Sequence, residues 1–236
     1  DYTGKEVLAS IPSNMVDWVL VELRDANDTA KIISQRAGVL LNNGVIADTN
    51  LVAIINFPEV EPGNYYLCIH HRNHISVMSD IPITFPNAVD YNFSDPQNFP
   101  HYGDTNAMVE LESGVWGMIA GDVNKDGKLK YSGPSNDRGV VLQHIVNESG
   151  STSITTTVSG YRNEDITMDS IIKYSGPGND PSLVIQNLVS LSGSPSITTV
   201  YDSYVPIGRK IFKCGDTLID ERDGQKYKTT QIGTRS

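Results

Sequence analysis

Between Val16 and Leu23 apolar and polar positions alternate. Val19, Val21 and Leu23 fall on one face of an extended segment, and Trp18, Leu20 and Glu22 on the other. A period of two predicts a strand. Asp25-Ala-Asn-Asp28 turns the chain into a second strand, Lys31 to Leu41, and Asn42-Asn-Gly44 is a hairpin signal into Val45-Ile46. Val52–Phe57 and Tyr65–His70 read as further strands, separated by the turn Glu61-Pro-Gly-Asn64. Shorter ones are predicted at Ser76–Met78, Ile83–Phe85 and Met108–Leu111. Turn signals at short, regular intervals fit an antiparallel sandwich over residues 1–117.

Two later stretches change period. Val140, Val141, His144 and Ile145 form one narrow apolar helical face, and Leu183, Val184, Asn187 and Leu188 another. Asn136-Asp137 and Asn179-Asp180 stand before them, with Asn suited to the N-cap and Asp to the first turn. Helices this short are marginal alone, so the two are expected to pack together.

The helices belong to a repeat. Lys130-Tyr-Ser-Gly-Pro-Ser-Asn-Asp137 returns as Lys173-Tyr-Ser-Gly-Pro-Gly-Asn-Asp180, and Ser153-Ile-Thr-Thr156 as Ser196-Ile-Thr-Thr199, at a constant shift of 43 residues. That is a tandem duplication. Each copy opens on alternating oxygen donors: Asp122, Asn124 and Asp126, then Asp165, Thr167 and Asp169. A tight turn can aim three such side chains at one hard cation, with Gly127 at the bend. Lys128, and Ile171 in the second copy, sit where a calcium loop offers a backbone carbonyl. The closing acid is displaced to Asp137 and Asp180. Thr167 and Ser170 replace Asn124 and Gly127, so the second loop is expected to bind calcium more weakly, or not at all.

This pair resembles the dockerin-type duplicated calcium loop–helix module. Gly121-Asp-Val-Asn-Lys-Asp-Gly with Lys130–Arg138 is similar to a version found in secreted surface proteins of Bacteroidetes-type bacteria. The resemblance implies calcium held by Asp122, Asn124, Asp126 and Asp137, and by Asp165, Asp169 and Asp180 in the second copy, where Thr167, Ser170 and Pro181 depart from the family pattern. Upstream, Pro-Gly-Asn-Tyr-Tyr-Leu after Val52–Phe57 resembles prealbumin-like or Cna-B-like sandwiches. Val16–Arg24, Gln35-Arg-Ala-Gly38 and His71-Arg-Asn-His74 resemble the same surface proteins. Cys214–Gly233, with a turn at Arg222-Asp-Gly224, resembles the start of the major paralogous domain named after Fibrobacter succinogenes. The expected fold is mostly β: an antiparallel β sandwich (1–117), a small duplicated calcium loop–helix, dockerin-like module (118–204) and a C-terminal β hairpin (205–236).

Composition narrows the function. With 28 acidic against 18 basic residues in 236, net charge −10, nucleic acid and anionic membrane are poor partners. No apolar run spans a bilayer. The chain opens at Asp1 without methionine or signal peptide, as a processed or excised form does. Cys68 and Cys214 are either a disulfide or two buried thiols.

Other constellations have plain structural readings. His70 and His74 share a strand face with Arg72 between them, a poor zinc arrangement that would need His101 or an acid as well. No nucleophile elbow or His-Glu-x-x-His occurs, and Glu59, Glu61, Glu110 and Glu112 read as a solvated face rather than paired glycosidase acids. Tyr65, Tyr66, Tyr91 and Phe93 read as core and edge aromatics rather than a sugar platform. The expectation is a non-enzymatic, extracellular, calcium-stabilised structural or adhesive subunit of a bacterial surface assembly. Copies of itself are the expected partners. An anchoring module of a secreted enzyme and a polysaccharide-binding module are the alternatives.

Overall fold

The computed structural model describes residues 4, 6–86, 90–103, 105–193 and 196–210, and the backbone of 217–219 and 226–228. Its strands are β1 (Met15–Asp25), β2 (Asp28–Leu41), β3 (Ile46–Ala47), β4 (Gly63–His71), β5 (His74–Met78) and β6 (Ile83–Phe85). Next come β7 (Val109–Glu112), β8 (Val115–Gly117) and β9 (Lys128–Lys130). Helix α1 (Asp137–Ser149) precedes β10 (Thr157–Ser159) and β11 (Ile171–Lys173), and α2 (Pro181–Ser192) precedes β12 (Val200–Asp202). Then follow β13 (Arg209–Lys210), β14 (Thr217–Ile219) and β15 (Lys226–Lys228). The protein is mostly β, and its strand pairs are antiparallel except β13, which runs parallel to β2. No helix among the described residues is long and apolar enough to cross a membrane.

The main sheet has seven strands, β13-β2-β1-β4-β5 with β3 and β6 at its margins. The alternation in β1 works as the period predicts. Val19, Val21 and Leu23 join Ile69, Val77, Phe57 and Met108 in one core. That face is covered by the stretch around Ile55–Val60 and by Trp116 of the β7–β8 hairpin. Gly44 takes φ +82 in the Asn42–Gly44 turn, a conformation glycine adopts without a Cβ clash.

Two expectations need correction. Val52–Phe57 forms no strand. Asp48 instead accepts the amides of Asn50 and Val52, Leu51 turns left-handed at φ +63, and Pro58 brings no donor. Ile54 is left exposed, while Phe57 enters the core. His70 and His74 are not on one continuous strand, because Arg72-Asn73 is the turn between β4 and β5. The aromatics form separate contacts: Tyr65 on Phe85, Tyr66 on Tyr102, and Tyr91 on Phe93 and Phe99.

The duplicated segment folds as an intertwined pair. The loop strand of each copy pairs with the strand following the other copy's helix: β9 with β12, and β11 with β10. Reciprocal bonds repeat the symmetry, with Ser132 Oγ donating to Ile197 O at 2.6 Å and Ser175 Oγ to Ile154 O at 2.7 Å. Arg138 lies over the equivalent rings Tyr131 and Tyr174, 5.0 Å from each centroid. Val141 and Ile145 of α1 meet Val184 and Leu188 of α2 in a second core. Ile75, Val109 and Ile119 from the preceding segments enter the same cluster, so sheet and repeat share buried surface.

The tail strands β14 and β15 pair antiparallel, with Thr217 opposite Lys228. Cys68 is buried. Cys214, its partner in the disulfide reading, and the Arg222–Gly224 turn lie outside the described residues.

Candidate metal centre

Each loop is a tight turn built on its leading aspartate. Asp122 accepts the amides of Asp126 and Gly127, one on each oxygen, both at 3.1 Å. Asp165 does the same for Asp169 and Ser170, again at 3.1 Å. Backbone angles repeat too: Lys125 and Met168 take φ +60 and +59, and Gly127 and Ser170 take +74 and +67. Ser170 thus adopts the left-handed conformation that glycine fills freely, at a cost of roughly 1 kcal/mol. Gly121 is fixed by close approach, since a Cβ there would lie 2.7 Å from Leu129 Cδ1.

The displaced acids do close the loops. Asp137 accepts Val123 N and Lys130 N, each at 2.9 Å, and so faces the same turn as Asp122. Asp180 accepts Ile166 N at 2.6 Å and Lys173 N at 2.7 Å. The helix starts hold them there. Asn136 accepts Gly139 N at 2.7 Å, as its N-cap position predicts. In the second copy Asn179 accepts Ser182 N at 3.0 Å, although Asp180 is the residue that borders α2. Asn124 accepts Asp126 N at 2.9 Å, and Asp126 accepts Lys128 N at 2.9 Å. Lys128 sends its ammonium to Asp202, and Ile171 is exposed, so neither side chain faces the loop acids. Thr167 Oγ1 donates to Asp180 at 3.3 Å.

Asp122 and Asp137 are only 5% and 0% exposed, so water screens neither charge. Burial, then repulsion from Asp137, pushes Asp122 up to about 7. Burial likewise pushes Asp137 up to about 6 against the pull of its backbone donors. Asp180 is raised for the same reason. Hard oxygen donors, two of them buried together, suit a hard divalent cation. Their spare lone pairs fit calcium.

A second cluster is legible only in three dimensions. Glu22, Cys68 and His70 bring ligand atoms within 4.8 Å of one another, the one such set of His, Cys, Asp and Glu groups among the described residues. The loop-1 carboxylates are spread more widely than that. His70 Nε2 lies 2.9 Å from Glu22 Oε2 and 3.3 Å from Cys68 Sγ, and Nδ1 lies 2.6 Å from Ser76 Oγ. Arg24 is already inside the cluster. Its guanidinium is 2.9 Å from Glu22 Oε2 and 3.5 Å from His70 Nε2, and it is anchored on the carbonyls of Thr29 and Pro206. A fixed positive charge at that corner opposes a metal ion, so the cluster is a buried ion network. Burial favours the neutral forms here. His70 and Arg24 nonetheless draw Glu22 down to about 2, and Cys68 and Glu22 draw His70 up to about 10. Alternating face gave part of the signal, because Cys68 and His70 are two residues apart. The register that brings Glu22 opposite Cys68 had none.

On the other face Asp17 is buried among His71 Nε2 at 2.9 Å, Arg72 Nε at 2.9 Å and the Tyr161 hydroxyl. Despite burial, these partners hold its carboxyl well below the usual range. His74 stands 2.7 Å from His71, and burial followed by the charge of His71 and Arg72 lowers it to about 3. His101 is elsewhere, against Phe93 O. With His144 beside Glu164 at 3.5 Å, the five histidines divide among four environments. Nor do the glutamates pair: Glu59 accepts from Ser34 and Arg36, and Glu110 from Gly114 N. Comparison with protein-family models, curated proteins and solved structures finds no match to this chain.

Proposed function

We propose that this chain is a non-enzymatic, calcium-stabilised structural module of an extracellular bacterial surface assembly. In this reading the sheet and the hairpin layer over it are a sandwich, and the intertwined repeat is a dockerin-like module beside it. One observation carries the calcium reading. Asp122 and Asp137 are both buried, with carboxyls forced upward by burial, Asp122 also by the charge of Asp137 and Asp137 by that of Asp126. Bound calcium supplies the positive charge that such a pair lacks. Asp122, Asn124, Asp126 and Asp137 would hold it, with the Lys128 carbonyl. The backbone donors fix each carboxylate in place, and the loop in turn fixes the start of α1. A cation that binds the folded loop and not the unfolded chain stabilises the fold by mass action. Chelator should lower the melting temperature and calcium restore it, and Asp122→Ala with Asp126→Ala should abolish the response. A wild-type melt indifferent to chelator refutes the reading.

The sheet edge favours self-assembly over the other partners. On its outer side β2 pairs with β13 at Lys31 and Ile32 and with β3 at Leu40 and Val39. Among the described residues no strand pairs with Ile33–Gly38 on that side. An unpaired edge accepts an added strand, and a head-to-tail contact of this kind builds filaments. Residues 213–236 are the proposed donor to the next copy. Electron microscopy of the full chain and of a 213–236 deletion tests this. Filaments that persist without the tail refute strand donation, and a full chain that stays monomeric at high concentration refutes assembly. Retention of the monomer by a polysaccharide gel would favour a sugar-binding module, and capture by one specific protein an anchoring module.

A further inference from the structure

The two loops have matching backbones but unlike surroundings. Asp165 meets an arginine from the main sheet. Arg72, in the turn between β4 and β5, places Nη2 3.5 Å from Asp165 Oδ2. Its Nη1 donates to the carbonyls of Asp165, at 3.2 Å, and of Arg162. Its Nε donates to Asp17 at 2.9 Å, and its guanidinium lies 4.6 Å from the centre of the Tyr161 ring. Asn73 adds a second clamp, with Nδ2 donating to Asn163 O at 2.9 Å and to Asp165 O at 2.7 Å. Carboxylate and carbonyl of Asp165 are thus both engaged by one turn of the sheet.

Loop 1 meets the same turn through its backbone, with Gly121 N donating to Asn73 O at 2.8 Å. Among the described residues no arginine pairs with Asp122, whose two oxygens accept Asp126 N and Gly127 N. The nearest ammonium is Lys130 Nζ, 3.4 Å from Asp126. We infer that Arg72 is the resident cation of the second loop, which is the socket where the sheet docks on the repeat rather than a second calcium site. This rests on the calcium reading of the first loop. The geometry supplies the mechanism. A guanidinium is planar, always charged and able to satisfy several acceptors at once. Held between Asp17 and Asp165 by five contacts, it cannot swing aside without leaving Asp17 buried and short of a partner. A divalent ion at Asp165 would sit beside that fixed charge and lose affinity by about a thousandfold or more.

Titration calorimetry of the full chain with calcium at neutral pH tests the assignment, using Asp122→Asn, Asp165→Asn, Arg72→Gln and the double variant Arg72→Gln/Asp165→Asn. Wild type should bind one equivalent. Asp122→Asn should bind none. Asp165→Asn should keep one, with affinity within about twofold, while its denaturation midpoint falls equally in chelator and in calcium. Arg72→Gln should uncover a second, weaker equivalent that the double variant loses. Should Arg72→Gln fail to fold, wild type and Asp165→Asn decide between them. Two equivalents in wild type, one of them lost in Asp165→Asn, would overturn the inference and leave the first-loop reading standing. A folded Arg72→Gln that still binds one would overturn it too. No binding by wild type, with one equivalent gained by Arg72→Gln and lost again in the double variant, would refute the first-loop reading and uphold Arg72. No binding by any of the proteins would refute both.

Discussion

Asp137→Asn isolates what the first loop requires of its closing acid. The amide keeps the shape of the side chain and the acceptor that Val123 N uses. It removes the second acceptor, which takes Lys130 N at 2.9 Å, and it removes the charge facing Asp122. Without calcium these effects oppose each other. A buried amide left without its acceptor costs about 1–3 kcal/mol. Removing a charge from this buried site offsets part of that cost, because burial, and for Asp122 the charge of Asp137, already pushes both carboxyls up. The variant should therefore match wild type to within about 1–2 kcal/mol in chelator. With calcium at a thousandfold excess over its dissociation constant the balance changes. Wild type gains about 4 kcal/mol by mass action, and the variant, lacking the closing carboxylate, gains little of it. Urea denaturation followed by tryptophan fluorescence and far-ultraviolet circular dichroism, with chelator and with calcium, measures both differences. An equal calcium increment in both proteins would remove Asp137 from the ligand set. A variant destabilised by more than about 4 kcal/mol in chelator would show that its role is backbone anchoring alone.

Three further outcomes are expected. Asp126→Ala should abolish the calcium increment in urea midpoint and Asp169→Ala should leave it, and the reverse order would contradict the assignment of the loops. Arg138→Ala removes a cation from two ring faces and should cost about 1–2 kcal/mol without changing calcium affinity in calorimetry. Because Glu22 is lowered to about 2 and His70 raised to about 10, their mutual stabilisation is whole between their ordinary values of 4.5 and 6.5. It should fade as pH falls towards 2 and as it rises towards 10. Urea midpoints of His70→Gln should lose the alkaline decline above 6.5, and an alkaline limb that persists unchanged refutes the pairing.

Local chemistry made much of this fold legible. The alternation of β1, the Asn42–Gly44 turn and the cap at Asn136 are decided within a few residues, and each forms as its pattern requires. The duplication was readable because 43-residue spacing survives in the chain, and the matching φ angles of Lys125 and Met168 follow from it. Val52–Phe57 misled because apolar β-formers report a wish for burial, not a partner strand. Phe57 is buried from an irregular backbone all the same. Non-local groupings left almost no trace. Glu22, Arg24, Cys68 and His70 meet through strand register, and a one-residue slip would separate them. Asp17 did carry a signal, as a lone acid among apolar strand positions, and it proves to be buried with three polar partners. Arg72 and Asn73 read only as a polar turn, since their targets lie 90 or more residues away.

Duplication gives two identical loops, but one chain cannot give both the same neighbours. The leading aspartates of both loops are buried, and of the two Asp165 is the one that meets an arginine of the sheet. A buried carboxylate needs either a mobile cation from solvent or a fixed one from the protein. At the second loop Arg72 arrives with the docking surface itself. The first loop also touches the sheet, through Gly121 N donating to Asn73 O, but among the described residues no arginine pairs with its acids. Its glycine at the bend costs nothing in strain, whereas Ser170 holds the same angle at φ +67. The strained bend is thus on the loop that gains contacts from Arg72 and Asn73, which offset the cost. The unstrained bend is on the loop whose acids remain uncompensated by arginine. The sequence differences between the copies and the asymmetry of their surroundings point in one direction. Thr167 and Ser170, which replace Asn124 and Gly127, stand in the copy to which the sheet brings Arg72.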